Sequence, residues 1–106
     1  MVTMAQIEEL GSRIGEEFHP ERVLLFGSYA HGVPTDDSDV DVLVVLPFEG
    51  KAVHKSVEMR LRLQPAFPLD LLVRTPQEVQ KRIQMGDDFM KEIVARGKVL
   101  YETPEP

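Results

Sequence analysis

Two aspartates stand where a hydrophobic strand begins. Asp39 and Asp41 lie at the start of a strand predicted over Val40 to Leu46, and residues two apart on a strand project from the same face. Asp70 interrupts a second apolar run, from Leu69 to Val73, in the same way. If the two strands are neighbours, we expect the three carboxylates to lie close together.

Carboxylates that converge in a partly buried site repel one another. Their repulsion raises a pKa unless a cation neutralises them, and a divalent metal ion is the simplest neutraliser. The chain has no cysteine, and its three histidines do not have metal-ligand spacing. Mg²⁺ binds through a few carboxylates, water and substrate phosphates. The sequence therefore predicts a magnesium site at Asp39, Asp41 and Asp70.

A glycine followed by a serine ends the preceding apolar run. Gly27 and Ser28 come directly after Phe26, and Ser28 is a good first residue for a short helical turn. Free backbone N–H groups at such a point can bind a phosphate, which glycine allows to approach closely. A phosphate cradle twelve residues before the aspartates favours a nucleoside triphosphate handled with Mg²⁺.

Simpler explanations exist for each of these features. Asp39 and Asp41 can form a polar strand entrance that continues an acidic loop, and Asp70 can simply cap or solvate the start of its strand. Gly27 and Ser28 can form a strand-ending turn with no ligand. Asp36 and Asp37, in the same acidic segment, are better explained as turn formers than as ligands.

The combined pattern resembles a known signature. Gly27-Ser28, ten residues, and then Asp39 and Asp41 resemble the motif of the DNA polymerase beta-like nucleotidyltransferase superfamily. The stretches Gly-Ser-Tyr-Ala-His-Gly and Ser-Asp-Val-Asp are similar to its minimal nucleotidyltransferase branch. The resemblance implies that the glycine and serine hold the β- and γ-phosphates and that the two aspartates ligate two metal ions. It implies that Asp70 is the third carboxylate, which can take a proton from the attacking hydroxyl.

The resemblance also implies a reaction and a partner. The reaction is in-line attack on the α-phosphorus of ATP, with pyrophosphate leaving. Stand-alone minimal domains of this family typically pair with a helical toxin of the HEPN type. The chain is then an antitoxin that transfers AMP to a tyrosine of the toxin, or one that only binds and masks it. A small-molecule adenylyltransferase is the third alternative.

Two further residues lie within the motif. Many relatives have arginine where this chain has His31, so the resemblance implies that His31 belongs to the nucleotide site with weaker phosphate binding. Tyr29 is expected to form a wall on the substrate side.

Length and charge limit the remaining possibilities. The 106 residues suit one domain, predicted over 1–103 with a frayed tail at 104–106. Twelve basic against eighteen acidic residues give a net charge of −6, which disfavours direct nucleic-acid binding. No apolar run is long enough for a membrane span, and the start lacks a secretory signal. We therefore expect a cytoplasmic protein.

The elements that must position these residues follow from hydrophobic spacing. The order is helix, strand, turn, strand, helix, strand, helix, helix and strand, which predicts an α/β (α+β) fold with helices packed on a small mixed sheet, like a nucleotidyltransferase palm. The second and third strands can pair in parallel because a helix connects them. The short link between the first two strands leaves their relative direction open.

Three helical segments have more specific predictions. Val53, Val57 and Leu61 predict an amphipathic helix over Lys51 to Gln64. Thr75, Pro76 and Glu78 predict a helix that starts with a capping box. The apolar residues farther along are expected in the core, with contact to a partner helix as the alternative, and they are Met85, Phe89, Met90 and Ile93.

Overall fold

The computed structural model describes residues 1–104. Its elements are α1 Met4–Phe18, β1 Arg22–Phe26, α2 Ser28–His31, β2 Val40–Val45, α3 Ala52–Leu63, β3 Leu69–Arg74, α4 Pro76–Gln84, α5 Asp88–Arg96 and β4 Lys98–Glu102. The single domain over 1–103 stays a prediction, and residues 105 and 106 of the predicted tail lie outside the described residues. No helix within 1–104 has the length and apolar character that crossing a membrane requires.

The four strands form one mixed sheet in the order β3-β2-β1-β4. β2 and β3 are parallel and are connected by α3, as predicted, whereas β1 is antiparallel to both β2 and β4. The link between β1 and β2 contains only the short α2, and it reverses the chain, so these strands pair in antiparallel fashion. The predicted α/β fold class is confirmed.

The two faces of the sheet are covered by different helices. Residues of α1 and α3 close one face, where the core includes Ile7, Ile14, Val23, Leu25, Val40, Val42, Val44, Met59 and Leu63. α4 and α5 cover the other face through a smaller cluster of Leu24, Leu43, Val45, Val79, Met90 and Ile93. Because side chains alternate along a strand, Asp41 projects from this second face, beyond the end of the smaller cluster.

Side-chain caps fix where the helices begin. Thr3 and Gln6 form a complete capping box at the start of α1. At α4 only half of the predicted box is present, since the Thr75 hydroxyl accepts from the backbone N–H of Glu78. The Glu78 carboxylate instead lies near the guanidinium groups of Arg74 and Arg82, at 3.6 and 3.4 Å. A basic neighbour on each side attracts it away from the helix start.

The predicted helix α3 is present, but a different side of it is buried. Met59 and Leu63 are buried, whereas Val53, Val57 and Leu61 are 62%, 51% and 70% exposed. α3 turns the side that bears Met59 and Leu63 toward the sheet. The apolar spacing at 53, 57 and 61 therefore indicates the helix correctly and its buried face incorrectly.

The core expected around α4 and α5 is only half correct. Met90 and Ile93 are buried, as predicted, but Met85 and Phe89 are exposed. Gly86 breaks the helix with a φ of +87° and Asp87 caps the next one. This break leaves Met85 at the end of α4, in the link between the two helices, where neither α4 nor α5 covers its side chain.

The outer edge of β3 is covered by side chains. The carbonyl oxygens of Leu69, Leu71 and Val73 point away from β2, because those of Pro68 and Arg74 accept hydrogen bonds from β2 and its flank. These three oxygens accept from the side chains of Arg60, Ser56 and Arg74, respectively. The two donors from α3 fix that helix alongside β3.

Candidate active site

Asp41 lies at the centre of the candidate site. In the sheet register it stands directly opposite Phe26 of β1 on one side and Asp70 of β3 on the other. Asp39 lies two residues before it, on the same side of the chain. Asp41 is half-buried, whereas Asp39 and Asp70 are exposed. The structure thus places the three predicted carboxylates at one end of the second face.

The charges of these carboxylates act on one another. Burial raises the pKa of Asp41 above its ordinary value of 3.8, and the charges of Asp70 and Asp39 and a hydrogen bond with the Asp70 side chain raise it further. Asp70 acts on Asp41 from the paired register position on β3, and Asp39 adds its charge. Among residues 1–104, none of these three aspartates forms an ion pair, so the site favours a proton or a cation.

The oxygen-only donor set suits Mg²⁺ or another hard cation. As the side chains are placed in residues 1–104, no group of three or more His, Asp or Glu side chains forms a metal-binding cluster. The chemistry of the three aspartates fits a divalent ion because their mutual repulsion is what such an ion relieves.

The bend at Gly27 touches the carboxylate of Asp41. Gly27 has φ of +75° and ψ of −155°, a conformation that is essentially restricted to glycine. A Cβ atom at this position would lie 2.1 Å from Oδ2 of Asp41. Any side chain here would collide with the aspartate. The structure thus brings the predicted phosphate cradle, Gly27 and Ser28, directly against the carboxylate site.

A groove of about 370 Å³ lies beside this bend. It is lined by Phe26, Gly27, Ser28, His31, Gly32, Phe89, Glu92, Ile93 and Gly97. Phe26 and Phe89 meet edge to face, with 5.7 Å between ring centroids. The sequence does not predict this groove, because the apolar spacing places Phe89 in the core. The position of Phe26 immediately before Gly27 was the available signal.

His31 also lines this groove. Its Nε2 is hydrogen-bonded to the backbone carbonyl of Arg96, at the end of α5. The imidazole therefore ties α2 to α5. The structure places His31 near the bend, but one of its ring nitrogens is already engaged by the protein.

Tyr29 does not lie on the substrate side. Its ring packs against the core of the closed face, and its hydroxyl accepts a hydrogen bond from the backbone N–H of Val2 at 3.3 Å. The predicted wall role is therefore wrong. In a single helical turn, successive side chains point about 100° apart, so Tyr29 and Ser28 face different surroundings.

A family model described as "Nucleotidyltransferase domain" matches residues 6–101. The chain belongs to the nucleotidyltransferase domain family. A curated relative, named a putative protein adenylyltransferase of Methanocaldococcus jannaschii, is 30% identical over 81 residues, which cover 76% of this chain and 78% of the relative. The resemblance carried by Gly27, Ser28, Asp39 and Asp41 is thereby confirmed for the family.

Two solved structures have the same architecture. A putative nucleotidyltransferase from Sulfolobus solfataricus is 26% identical, with a TM-score of 0.58, over 74% of this chain and 71% of that one. The MntA-HpeT toxin-antitoxin complex, solved with two aspartates changed to glutamate, matches with a TM-score of 0.53 at 17% identity. That match covers 96% of this chain and 75% of the other, and at this identity it shows the nucleotidyltransferase fold alone.

Proposed function

We propose that this protein transfers AMP from ATP to a hydroxyl of a partner protein, using Mg²⁺, and that it acts as an antitoxin. The observation that carries this proposal is the register that sets Asp70 opposite Asp41 with Gly27 against the Asp41 carboxylate. A phosphate cradle beside uncompensated carboxylates suits a metal-bound triphosphate. The acceptor we propose is a tyrosine of a HEPN-type helical toxin, on the resemblance to minimal nucleotidyltransferases.

Each site residue has a proposed role. Gly27 and Ser28 bind the β- and γ-phosphates through backbone N–H groups and the serine hydroxyl. Asp39, Asp41 and Asp70 would hold two Mg²⁺ ions, which when bound stabilise the charge on the attacking and leaving oxygens. His31 lies at the phosphate end of the groove and contributes less to phosphate binding than an arginine would.

The order of these groups across the sheet gives the reaction a direction. The cradle follows β1, Asp41 is on β2 and Asp70 is on β3. In an in-line displacement, pyrophosphate leaves on the β1 side and the hydroxyl attacks from the β3 side. The exposed Asp70 carboxylate accepts the hydroxyl proton as the new O–P bond forms and the bond from the α-phosphorus to pyrophosphate breaks.

Intact mass spectrometry tests this proposal. The protein is incubated with ATP, Mg²⁺ and the helical protein encoded by the adjacent reading frame, and the partner should gain the mass of AMP. Asp41→Asn should abolish the gain, whereas Asp37→Asn, an exposed aspartate of the same acidic segment, should leave it unchanged. An equal gain with Asp41→Asn would contradict the proposed chemistry.

A second candidate is an antitoxin that only masks its partner. The engagement of His31 by the Arg96 carbonyl favours it, because a ring nitrogen that binds protein is less available to a phosphate. In that case the Asp41→Asn variant neutralises the toxin as well as the wild type does, and the mass of the toxin does not change. AMP found on a small hydroxylated or amino compound would instead indicate a small-molecule adenylyltransferase.

A further inference from the structure

An aromatic side chain is left open at the groove beside the Gly27 bend. Phe89 of α5 is 58% exposed, whereas Met90 and Ile93 of the same helix are buried against the sheet. Phe89 meets Phe26 edge to face, with an angle of 82° between the two rings. Whichever ring presents its edge, this contact leaves at least one face of the Phe89 ring uncovered by Phe26. A flat apolar surface therefore lines the groove.

This aromatic pair lies next to the proposed reaction centre. Phe26 stands opposite Asp41 in the sheet register, and residues paired in this way lie on the same face with Cα atoms roughly 5 Å apart. In the proposed function, on which this inference rests, the α-phosphate lies at the Asp41 carboxylate and the other phosphates at Gly27 and Ser28. The base is joined to the α-phosphate through a single ribose, so the aromatic pair is within its reach.

The lining of the groove suits the uncharged part of a nucleotide. Among residues 1–104 the lining includes no lysine or arginine, and the Glu92 carboxylate stands among its apolar side chains. A triphosphate placed deep in the groove would meet that carboxylate without a basic side chain to neutralise it. The volume of about 370 Å³ is within the range of about 300–1,000 Å³ of small-molecule pockets. The groove therefore has room for a base and part of its ribose.

The titratable groups of the groove already have partners within the protein. The Glu92 carboxylate accepts a hydrogen bond from the Arg96 guanidinium at 3.0 Å, and Nε2 of His31 is hydrogen-bonded to the Arg96 carbonyl. A base that hydrogen-bonds to either group must compete with Arg96. The lining therefore favours recognition by stacking, which depends on the area of the ring and not on its pattern of donors and acceptors.

We propose that this groove is the base site of the nucleotide and that a purine ring stacks on Phe89. Phe26 fixes the orientation of the Phe89 ring through their edge-to-face contact. A two-ring purine covers more of Phe89 than a pyrimidine does, so the site selects purines over pyrimidines and binds adenine and guanine about equally. Phe89 thus contributes to substrate choice, whereas the carboxylates and the Gly27 bend act on the phosphates.

Nucleotide titrations of the full chain test this site. Calorimetry in the presence of Mg²⁺ gives the dissociation constants of ATP, GTP, CTP, UTP and inorganic tripolyphosphate. The wild type is compared with Phe89→Ala, Phe89→Leu and Phe89→Tyr. Met85→Ala is the matched control, because Met85 is an exposed apolar residue at the end of α4, outside the groove lining. Thermal unfolding verifies that each variant is folded.

The wild type should bind ATP and GTP with affinities within about twofold of each other, and CTP and UTP at least about threefold more weakly. Phe89→Ala should weaken ATP binding about tenfold, and Phe89→Leu nearly as much, because stacking requires an aromatic ring. Phe89→Tyr and Met85→Ala should bind ATP as the wild type does. Tripolyphosphate should bind equally to all of these variants, since it has no base.

Several outcomes would overturn the base site. They are an absence of ATP binding to the wild type, unchanged ATP binding by Phe89→Ala, equal losses for ATP and tripolyphosphate, and a more than about tenfold preference between ATP and GTP. If Phe89→Ala weakens only the binding of the helical protein encoded by the adjacent reading frame, the groove holds a side chain of that protein and the base site is wrong. If purine binding depends on Phe89 but the partner gains no AMP, the base site stands and the proposed transferase function fails.

Discussion

The two faces of this sheet use the same strands for different purposes. On the face closed by α1 and α3, alternate residues of β1 and β2 are apolar and fully buried, as Val23 and Val42 illustrate. On the other face, the same strands present Leu24 and Leu43 to α4 and α5, and at one end of the sheet they carry the paired residues Phe26 and Asp41. Helices cover only part of this second face, and the uncovered end holds the carboxylates. One face supplies stability, and the partly covered face leaves room for chemistry.

The difference also appears in the electrostatics. The buried residues of the described chain include no polar or charged side chain, so the closed face contains no charge that needs a partner. At the uncovered end, Asp41 is half-buried beside two other aspartates, and its pKa is raised by burial first and by their charges next. Folding tolerates this repulsion because water still reaches Asp39 and Asp70.

Asp41→Asn should show the difference between the two faces most clearly, because it should reduce activity strongly without reducing stability. If the proposed function holds, transfer of AMP should fall on the order of a thousandfold, about 4 kcal/mol, because the proposal makes Asp41 a direct metal ligand, and such a ligand matters more than a group in the outer shell. The free energy of unfolding should stay the same or rise, since a repelled charge is removed. Rate assays and urea unfolding of the same samples measure both. A large loss of stability would show that Asp41 is structural.

A matched pair of isoleucines compares the packing of the faces. Ile14→Ala on the closed face should cost about 4 kcal/mol of stability, whereas Ile93→Ala, which lines the groove, should cost about 2 kcal/mol. Both residues are buried, but the neighbours of Ile93 can relax toward the groove and the neighbours of Ile14 cannot. Urea denaturation measures each cost. Equal costs would mean that the second face is packed as tightly as the first.

Gly27→Ala tests the contact between the bend and the carboxylate. The φ of +75° and the close approach of Asp41 should together cost about 1–3 kcal/mol of stability. In a double variant with Asp41→Ala, the collision is removed and only the backbone strain remains, so the two costs should be less than additive. Strict additivity of the two unfolding free energies would argue against this contact.

The smallest effect is the pH dependence of stability. Asp41 has a folded-state pKa above its ordinary value of 3.8, so the native state binds more protons than the unfolded state. The wild type should therefore lose stability relative to Asp41→Asn as pH rises from about 4 through that raised pKa. Urea unfolding across this pH range measures the difference, and a constant difference would contradict the raised pKa.

Asp87 provides the control with the opposite sign. A hydrogen bond from the backbone N–H of Met90 lowers the pKa of Asp87 below 3.8, with a smaller contribution from Arg82. Its stabilising contribution should be present above pH 3.8 and should disappear as pH falls through the lowered pKa. The wild type should therefore lose stability relative to Asp87→Asn as pH falls below 3.8, whereas at Asp41 the loss occurs as pH rises.

Local rules in the sequence were sufficient for the carboxylates. The two-residue spacing of Asp39 and Asp41 predicted a shared face, and the connecting helix predicted the parallel pairing that sets Asp70 beside Asp41. The direction of β1 relative to β2 stayed open because a short link permits a hairpin-like return, and only pairing with neighbours decides it.

The sequence was less informative about which side of a helix is buried. Val53, Val57 and Leu61 have the spacing of a buried side, yet α3 rotates to bury Met59 and Leu63. Two hydrogen bonds to β3 fix that rotation, and such long-range contacts leave no periodic signal. Phe89 was misassigned for the same reason, because its exposure depends on where α5 crosses Phe26 rather than on its own type.

The covered carbonyl oxygens of β3 have one more consequence. A strand at the rim of a sheet normally invites a foreign strand to add to it, which leads to aggregation. Because Arg60, Ser56 and Arg74 occupy the oxygens of Leu69, Leu71 and Val73, an incoming strand finds no free acceptors there. The protein can thus keep Asp70 on an edge strand that is accessible to macromolecules, while the covered carbonyl oxygens of that strand disfavour aggregation by strand addition.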